Sequence, residues 1–331
     1  MEITLKTLTP LWTGGVDGTV DRLHETAIIG SLRWWYEALV RGLGGYACDP
    51  TGENRCEYNS KKKEPPEKQL CPACYLFGAT GWARKFRLVV TEAPELATIG
   101  KTKVIAKDQT IHLRFIPLRR IESEEKYLLS LTLRLISEYG ALGGKTVFKP
   151  SDEDGRENAF HHQDFGIVAM HFVPNMPSAT LDELKSFATS TRWRSGTHTY
   201  RDKKGEKHDY SWASLQNFWC VKGRYLARLD EKRSAFNAVV GRKQKKREGK
   251  WLVNKRDPVA QWLAGNQQIS KKVFSFKHPA EGGRTFGFVK PGLIEFADIQ
   301  TRLSQAWPDF NPDAEFQTGE QILHNLLGGD R

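Results

Sequence analysis

Three observations predict an α+β fold of the ferredoxin-like, RRM-like kind for the first 174 residues: four short alternating apolar segments, two amphipathic helical stretches between them, and the order β-α-β-β-α-β. This order gives a four-stranded antiparallel sheet with both helices on one face. Residues 2–9 alternate apolar and polar side chains and read as the first strand. Residues 27–41 follow helical spacing, with Ile28, Leu32, Trp35 and Leu39 on one core-facing stripe. Arg33, Glu37 and Arg41 recur every fourth residue on another face, where Arg33 can pair with Glu37 and is expected to reach a phosphate. Trp34 points about 100° away from Trp35, which frees it to line an interface or stack on a base.

The remaining elements follow in order. A polar, Cys-containing insertion occupies about 44–75, and residues 84–91 and 110–118 read as the second and third strands. Residues 123–139 form the second helix, with Leu128, Leu131, Leu135 and Tyr139 on one stripe. A Gly-rich loop, 140–146, leads through a polar excursion containing Asp152-Glu153-Asp154 to a fourth strand over 165–173. These segments make up an N-terminal domain over 1–174, leaving 175–331 as a helix-enriched, basic C-terminal domain. There, 180–189 and 211–240 read as mostly helical, 258–264 as the opening of another helix, and 284–290 as a strand. That strand, Arg284-Thr285-Phe286-Gly287-Phe288-Val289-Lys290, partly matches the aromatic strand of RNA-recognition modules. Thr285 in place of the usual Gly, and Pro291 where an aromatic is expected, favour an ordinary buried strand.

Charge placement narrows the partners. The net charge is +11, yet residues 190–256 hold 19 Lys or Arg against 6 Asp or Glu, which leaves the other 264 residues at −2. Trp193, Tyr200, Tyr210, Trp212, Trp219, Tyr225 and Trp251 fall in the same region, an interleaving of cations and rings that suits single-stranded nucleic acid. The run 242–250 also fits a solvated basic loop. Met1-Glu2 opens an alternating strand instead of a leader, and no apolar run approaches the roughly 18 residues of a membrane span. A cytoplasmic protein with no membrane partner is expected.

Four of the five cysteines, Cys48, Cys56, Cys71 and Cys74, follow the pattern C-x7-C-x14-C-x2-C. The Cys71-Pro72-Ala73-Cys74 knuckle suits thiolate ligation, and the insertion has too little apolar content to order itself, so a structural zinc site is expected. Free thiols are the alternative, disulfides being unfavoured in a cytoplasmic setting. Cys220, beside Trp219, reads as a buried singleton. His161, His162 and Asp164 read as a polar loop end in preference to a metal site.

Ahead of the first helix, Thr13-Gly14-Gly15, Arg22 and His24 form a loop of small and basic residues running into a helix N-terminus with Ser31 one turn in, a backbone ledge for an anion. The tetrapeptide Gly143-Gly144-Lys145-Thr146 is not a nucleotide-binding P-loop. Tyr139 stands where that motif needs Gly, and a helix precedes the loop where a strand is required. No nucleotide cofactor is expected.

Three of these segments, Thr9-Pro10-Leu11-Trp12-Thr13-Gly14-Gly15, Gly30-Ser31-Leu32-Arg33-Trp34-Trp35 and Leu76-Phe77-Gly78-Ala79-Thr80-Gly81-Trp82, resemble the RAMP proteins of CRISPR systems, in particular the first-numbered subunit of the Cmr (type III-B) RNA-guided effector complex. The resemblance is dense over about 3–174 and thin afterwards. It implies tandem ferredoxin-like domains, no catalysis, and a place at the end of the filament near the 3′ end of the guide, with guide (crRNA) and target RNA and other RAMP subunits as partners. It also implies that the loop after the second helix touches the RNA backbone. The expected RNA-binding set is therefore Thr13, Gly14, Gly15, Arg22, His24, Ser31, Arg33, Trp34, Gly143, Gly144, Lys145 and Thr146. Two competing readings remain. His24 sits where guide-processing RAMP ribonucleases can carry a general base, and Asp17 and Asp21 lie where the backbone subunit holds a slicing carboxylate, although their neighbours do not resemble it. A protein-only scaffold is the other.

Overall fold

The computed structural model describes residues 1–15, 18–143, 150–156, 159–172, 178–230, 233–244, 251–254, 256–266, 269–280 and 282–328. Its N-terminal sheet is built from Glu2–Thr7, Phe86–Val90, Thr110–Pro117 and Val168–Phe172, all pairs antiparallel, in the spatial order second, third, first, fourth. The helices Glu25–Gly42 and Ser123–Glu138 complete the split βαβ plan that the sequence predicts. Alternation works as expected: Ile3, Leu5, Ile111, Leu113, Phe115 and Leu88 point into the core, while Thr4, Lys6, Arg87, His112 and Arg114 lie on the other face. A hairpin over Leu96–Ile99 and Thr102–Ile105, which the sequence reading does not anticipate, fills the connection between the second and third strands.

The C-terminal half repeats the plan. Phe218–Lys222, Val273–Phe276, Arg284–Phe288 and Phe316–Thr318 again pair in the order second, third, first, fourth, with helices between the first and second and between the third and fourth strands. The tandem ferredoxin-like arrangement is therefore present. The helical reading of 211–240 is wrong, because its centre is the strand Phe218–Lys222, and only Ala235–Val239 is α-helical. The run Phe218-Trp219-Cys220-Val221 is buried on both faces, so it shows no alternation, and a continuous apolar run cannot be told from a buried helix by periodicity. The 284–290 strand is buried as expected, with Phe286 and Phe288 3% and 1% exposed.

The two faces of the second sheet meet different partners. Trp219, Val221 and Val273 pack with its own helices. Phe218, Phe276, Phe286 and Phe288 pack instead against the N-terminal half, where the Trp35 ring lies 5.5 Å from Phe218 and the Trp34 ring 5.5 Å from Phe288, both edge-to-face. Each such pair contributes about 0.5–1.5 kcal/mol beyond the apolar area it buries. Polar staples cross the same junction. Arg284, buried in the second sheet, donates to the carbonyls of Ser137 and Gly140, and Arg134 donates to the Leu326 carbonyl at 2.6 Å. Asp164 accepts from the backbone amides of Lys277 and His278 at 2.9 and 2.7 Å, and burial raises its carboxyl to about 7. Among the described residues no helix is long and apolar enough to cross a membrane.

The ion pair between Lys85 and Glu125 is fully enclosed. Lys85 Nζ meets both oxygens of Glu125 at 2.9 and 2.7 Å, with the two side chains 3% and 0% exposed, and Glu125 also accepts from the Glu122 amide to cap its helix. Removing one charge leaves the other buried without its partner. Lys85→Met is expected to cost about 3–5 kcal/mol in urea denaturation, and the double variant Lys85→Met/Glu125→Leu substantially less.

Candidate metal centre and glycine-loop surface

The helix Glu25–Gly42 organises both candidate sites. The sequence assigns it one apolar stripe, yet it is enclosed on its polar face too, with Glu37 and Arg41 2% and 6% exposed. Arg41 donates to the carbonyls of Ala47, Cys48 and Ala213 at 3.1, 3.1 and 2.8 Å. Arg33 donates to Glu37 at 2.8 Å, to the Gly78 carbonyl at 2.9 Å and to Cys74 Sγ at 3.0 Å. The expectation that Arg33 faces a phosphate is thus corrected: its guanidinium fork fastens the Cys-bearing insertion to the helix. The insertion itself contributes Cys71 as the N-cap of a short helix, Pro72–Phe77, which also carries Cys74.

Cys48, Cys56, Cys71 and Cys74 are all buried, and their sulfurs lie within 4.8 Å of one another, Cys48 and Cys74 at 3.4 Å. Four thiolates around a metal at about 2.3 Å stand about 3.8 Å apart, so this spacing fits a tetrahedral ion. Burial alone would raise the Cys71 thiol, but hydrogen bonds from its three sulfur neighbours hold it well below the ordinary range. The outer contacts fit as well. Arg33 reaches Cys74, the Cys71 amide reaches Cys56 Sγ at 3.3 Å, and the Arg194 guanidinium, held by the Asn54 and Arg55 carbonyls, puts its charge beside Cys56. Two guanidiniums would offset the double negative charge of a divalent ion with four thiolates. The four cysteines can therefore hold a metal ion. His161, His162 and Asp164 do not form such a group, since Asp164 is engaged with the Lys277 and His278 amides.

The second site lies at the other end of the helix. Thr13 is buried and its hydroxyl accepts from the His24 amide at 3.3 Å, which closes the 13–24 loop onto the helix start. Gly166 donates to the Pro10 carbonyl and accepts from the Leu142 amide at 2.9 and 2.8 Å, so it bridges the loop after the first strand to the loop after the second helix. Gly143, with φ +108°, donates to the Ser31 hydroxyl at 3.3 Å. A Cβ there would stand 2.9 Å from Leu11 and 3.0 Å from the Trp12 carbonyl. The Thr13–Gly15 loop, Ser31 and Gly143 are thus brought together, as the sequence reading requires. Gly144, Lys145, Thr146 and Asp17 lie outside the described residues. Arg22 is exposed and pairs with Glu25 at 2.9 Å, and His24 contacts Asp21 at 2.7 Å.

Ser31, Trp34 and Gly143, three of the residues singled out from sequence, line one cavity of about 350 Å³. Its other walls include Trp212, one of the rings that the sequence sets among the cations of 190–256, Phe288 of the strand that partly matches an aromatic RNA-recognition strand, and Phe274, which the sequence reading does not single out. Several of the described rings and cations of 190–256 are engaged within the fold. Trp193, Tyr210 and Trp219 are buried, while Arg192, Arg224, Arg228 and Arg233 pair with Glu122, Asp309, Glu153 and Asp230. Residues 245–250 lie outside the described set.

Residues 4–148 match the family model of the RAMP superfamily. The resemblance carried by the segments at Thr9–Gly15, Gly30–Trp35 and Leu76–Trp82 is borne out over that span. No curated protein matches the sequence. Among solved structures, a chain titled "Type IV-B CRISPR Complex" is 14% identical with a TM-score of 0.35, covering 57% of this chain and 99% of that one. The apo crystal structure of Cmr1 from Pyrococcus furiosus is 8% identical with a TM-score of 0.40, covering 99% of this chain and 96% of that one.

Gly166 and Gly30, both near the loop surface, differ in what surrounds them. A Cβ at Gly166, where φ is +86°, would fall 2.1 Å from the Leu142 carbonyl oxygen, whereas one at Gly30 meets nothing within 4 Å. Gly166→Ala is expected to lose at least about 2 kcal/mol of stability in urea denaturation, and Gly30→Ala to be neutral or gain up to about 1 kcal/mol.

Proposed function

We propose that this chain is a non-catalytic RNA-binding subunit of a type III-B CRISPR (Cmr) effector complex. It caps the filament near the 3′ end of the guide, beside another RAMP subunit, and helps to hold guide and target RNA. The observation that carries this reading is the meeting of the Thr13–Gly15 loop, Ser31 and Gly143 at one edge of a ferredoxin-like sheet, within and around the span that matches the RAMP superfamily. Backbone amides and small residues there let a phosphate chain approach closely, and Arg22 with Lys145 supplies charge. Arg33 is withdrawn from the phosphate set and assigned to the metal centre. The division into domains at 174/175 belongs to the same reading.

The test is equilibrium binding to single-stranded RNA followed across salt. Affinity is expected to fall as salt rises, with a log–log slope of about −0.7 for each neutralised phosphate, and Lys145→Ala and Arg22→Ala are expected to flatten that slope. Arg33→Lys is expected to leave it unchanged. No affinity at low salt would favour the protein-only scaffold. A second reading, a metal-independent ribonuclease, draws on the His24–Asp21 contact, which gives the histidine an acid partner. Cleavage of guide-repeat RNA that disappears with a 2′-deoxy substitution and with His24→Ala would establish it.

The cysteine cluster is proposed to hold a structural zinc ion, which would order the insertion on the first helix. Elemental analysis of untagged protein is expected to find about one zinc per chain. Cys71→Ser is expected to lose the metal and lower the melting temperature, and Arg33→Lys to weaken metal affinity about 10–100-fold through its lost fork on Cys74. A metal-free wild-type protein with an unchanged melt in chelator would contradict the assignment.

A further inference from the structure

The cavity that joins the two halves has a composition unlike a sealed core defect. Its floor is Phe286, Phe288 and Trp35, all buried, and its more open walls are the half-buried Trp34, Trp212 and Phe274. The rings are held in place by one another: Trp34 and Trp212 each meet Phe288 edge-to-face at 5.5 and 5.6 Å, and Phe274 stacks on Phe286 at 5.2 Å. The volume of about 350 Å³ sits at the low end of small-ligand sites, roughly 300–1,000 Å³. Polar residues in its lining are few: Ser31, Ser270 and Lys271, with Gly143 contributing backbone.

The charge around it has one sign. Among the described residues no Asp or Glu lines the cavity. Lys271 Nζ stands 5.2 Å from the Phe274 ring centroid, and Lys272, only 2% exposed, places its ammonium 4.3 Å from the Trp212 ring centroid. An aromatic slot with a cationic rim, opening beside a glycine loop, combines the two features of single-strand sites: a flat face for a base and charge for the backbone.

We infer that this cavity receives one unstacked nucleobase of single-stranded RNA, stacked among Trp34, Trp212 and Phe274, while the adjoining phosphate passes over Gly143. The inference rests on the RNA-binding reading above and specifies how that reading discriminates RNA from any other polyanion.

The experiment compares full-length protein binding to two single-stranded RNAs of equal length and phosphate count, one with all its bases and one with abasic riboses. The intact RNA is expected to bind about tenfold more tightly. Trp34→Leu and Phe274→Ala, on different walls, are each expected to erase that difference while keeping the affinity for abasic RNA, which also reports that the variant is folded. Equal wild-type affinity for the two RNAs would overturn the base pocket and leave the RNA-binding reading standing. A preference that survives in both variants would place the stacking elsewhere and also overturn it. Failure to bind either RNA at low salt would remove the RNA-binding reading itself, and an aromatic side chain of a neighbouring subunit would then be the better occupant.

Discussion

Enclosure of the helix Glu25–Gly42 over its segment 35–41, where every residue is buried, is the constraint from which the rest of the structure follows. Its apolar stripe packs on the first sheet, its two indoles meet the aromatic face of the second sheet, and its Arg33–Glu37–Arg41 ladder grips the cysteine insertion. A buried carboxylate between two guanidiniums is tolerable because the arginines find further acceptors, the carbonyls of Gly78, Ala47, Cys48 and Ala213. Trp35 shows the same economy: its ring is packed against Phe218 and Phe286, and its indole N–H is satisfied by the Ala141 carbonyl at 3.1 Å.

This arrangement links the cysteine cluster, the glycine loop and the aromatic cavity through one helix. Arg33 and Trp34 are neighbours in sequence and point about 100° apart on the helix, the first to a sulfur cluster and the second to a cavity. The second sheet, whose aromatic face would be free in an isolated RNA-recognition module, is instead covered by the first half except at the edge where the cavity opens. The surface proposed for RNA is accordingly narrow: a backbone track over glycines beside one slot for a base.

Much of the N-terminal half was legible because its strands alternate and its helices carry clean stripes. Strands expected at 2–9, 84–91, 110–118 and 165–173 correspond to Glu2–Thr7, Phe86–Val90, Thr110–Pro117 and Val168–Phe172. The four cysteines were legible from spacing and from the poverty of apolar residues around them. Arg33 was misread because helical periodicity places a charged side chain on a face without saying what covers that face, and the covering insertion begins more than ten residues later. Phe218–Lys222 was misread because a strand buried on both sides loses its period. The cavity was invisible for a related reason. Its walls are drawn from residues 31 to 288, and only the packing of one ferredoxin-like unit on the other brings them together.

The central claim is that RNA lies along the edge where the Thr13–Gly15 loop, Ser31 and Gly143 converge. Photocrosslinking of 4-thiouridine-substituted single-stranded RNA to the full-length protein, with the attachment sites read by mass spectrometry, tests it most directly. The account predicts adducts within 11–15, 31–34 and 141–146, and on Trp212 or Phe274. Adducts confined to the lysine-rich hairpin at 201–207, or to the far side of the second sheet, would contradict it.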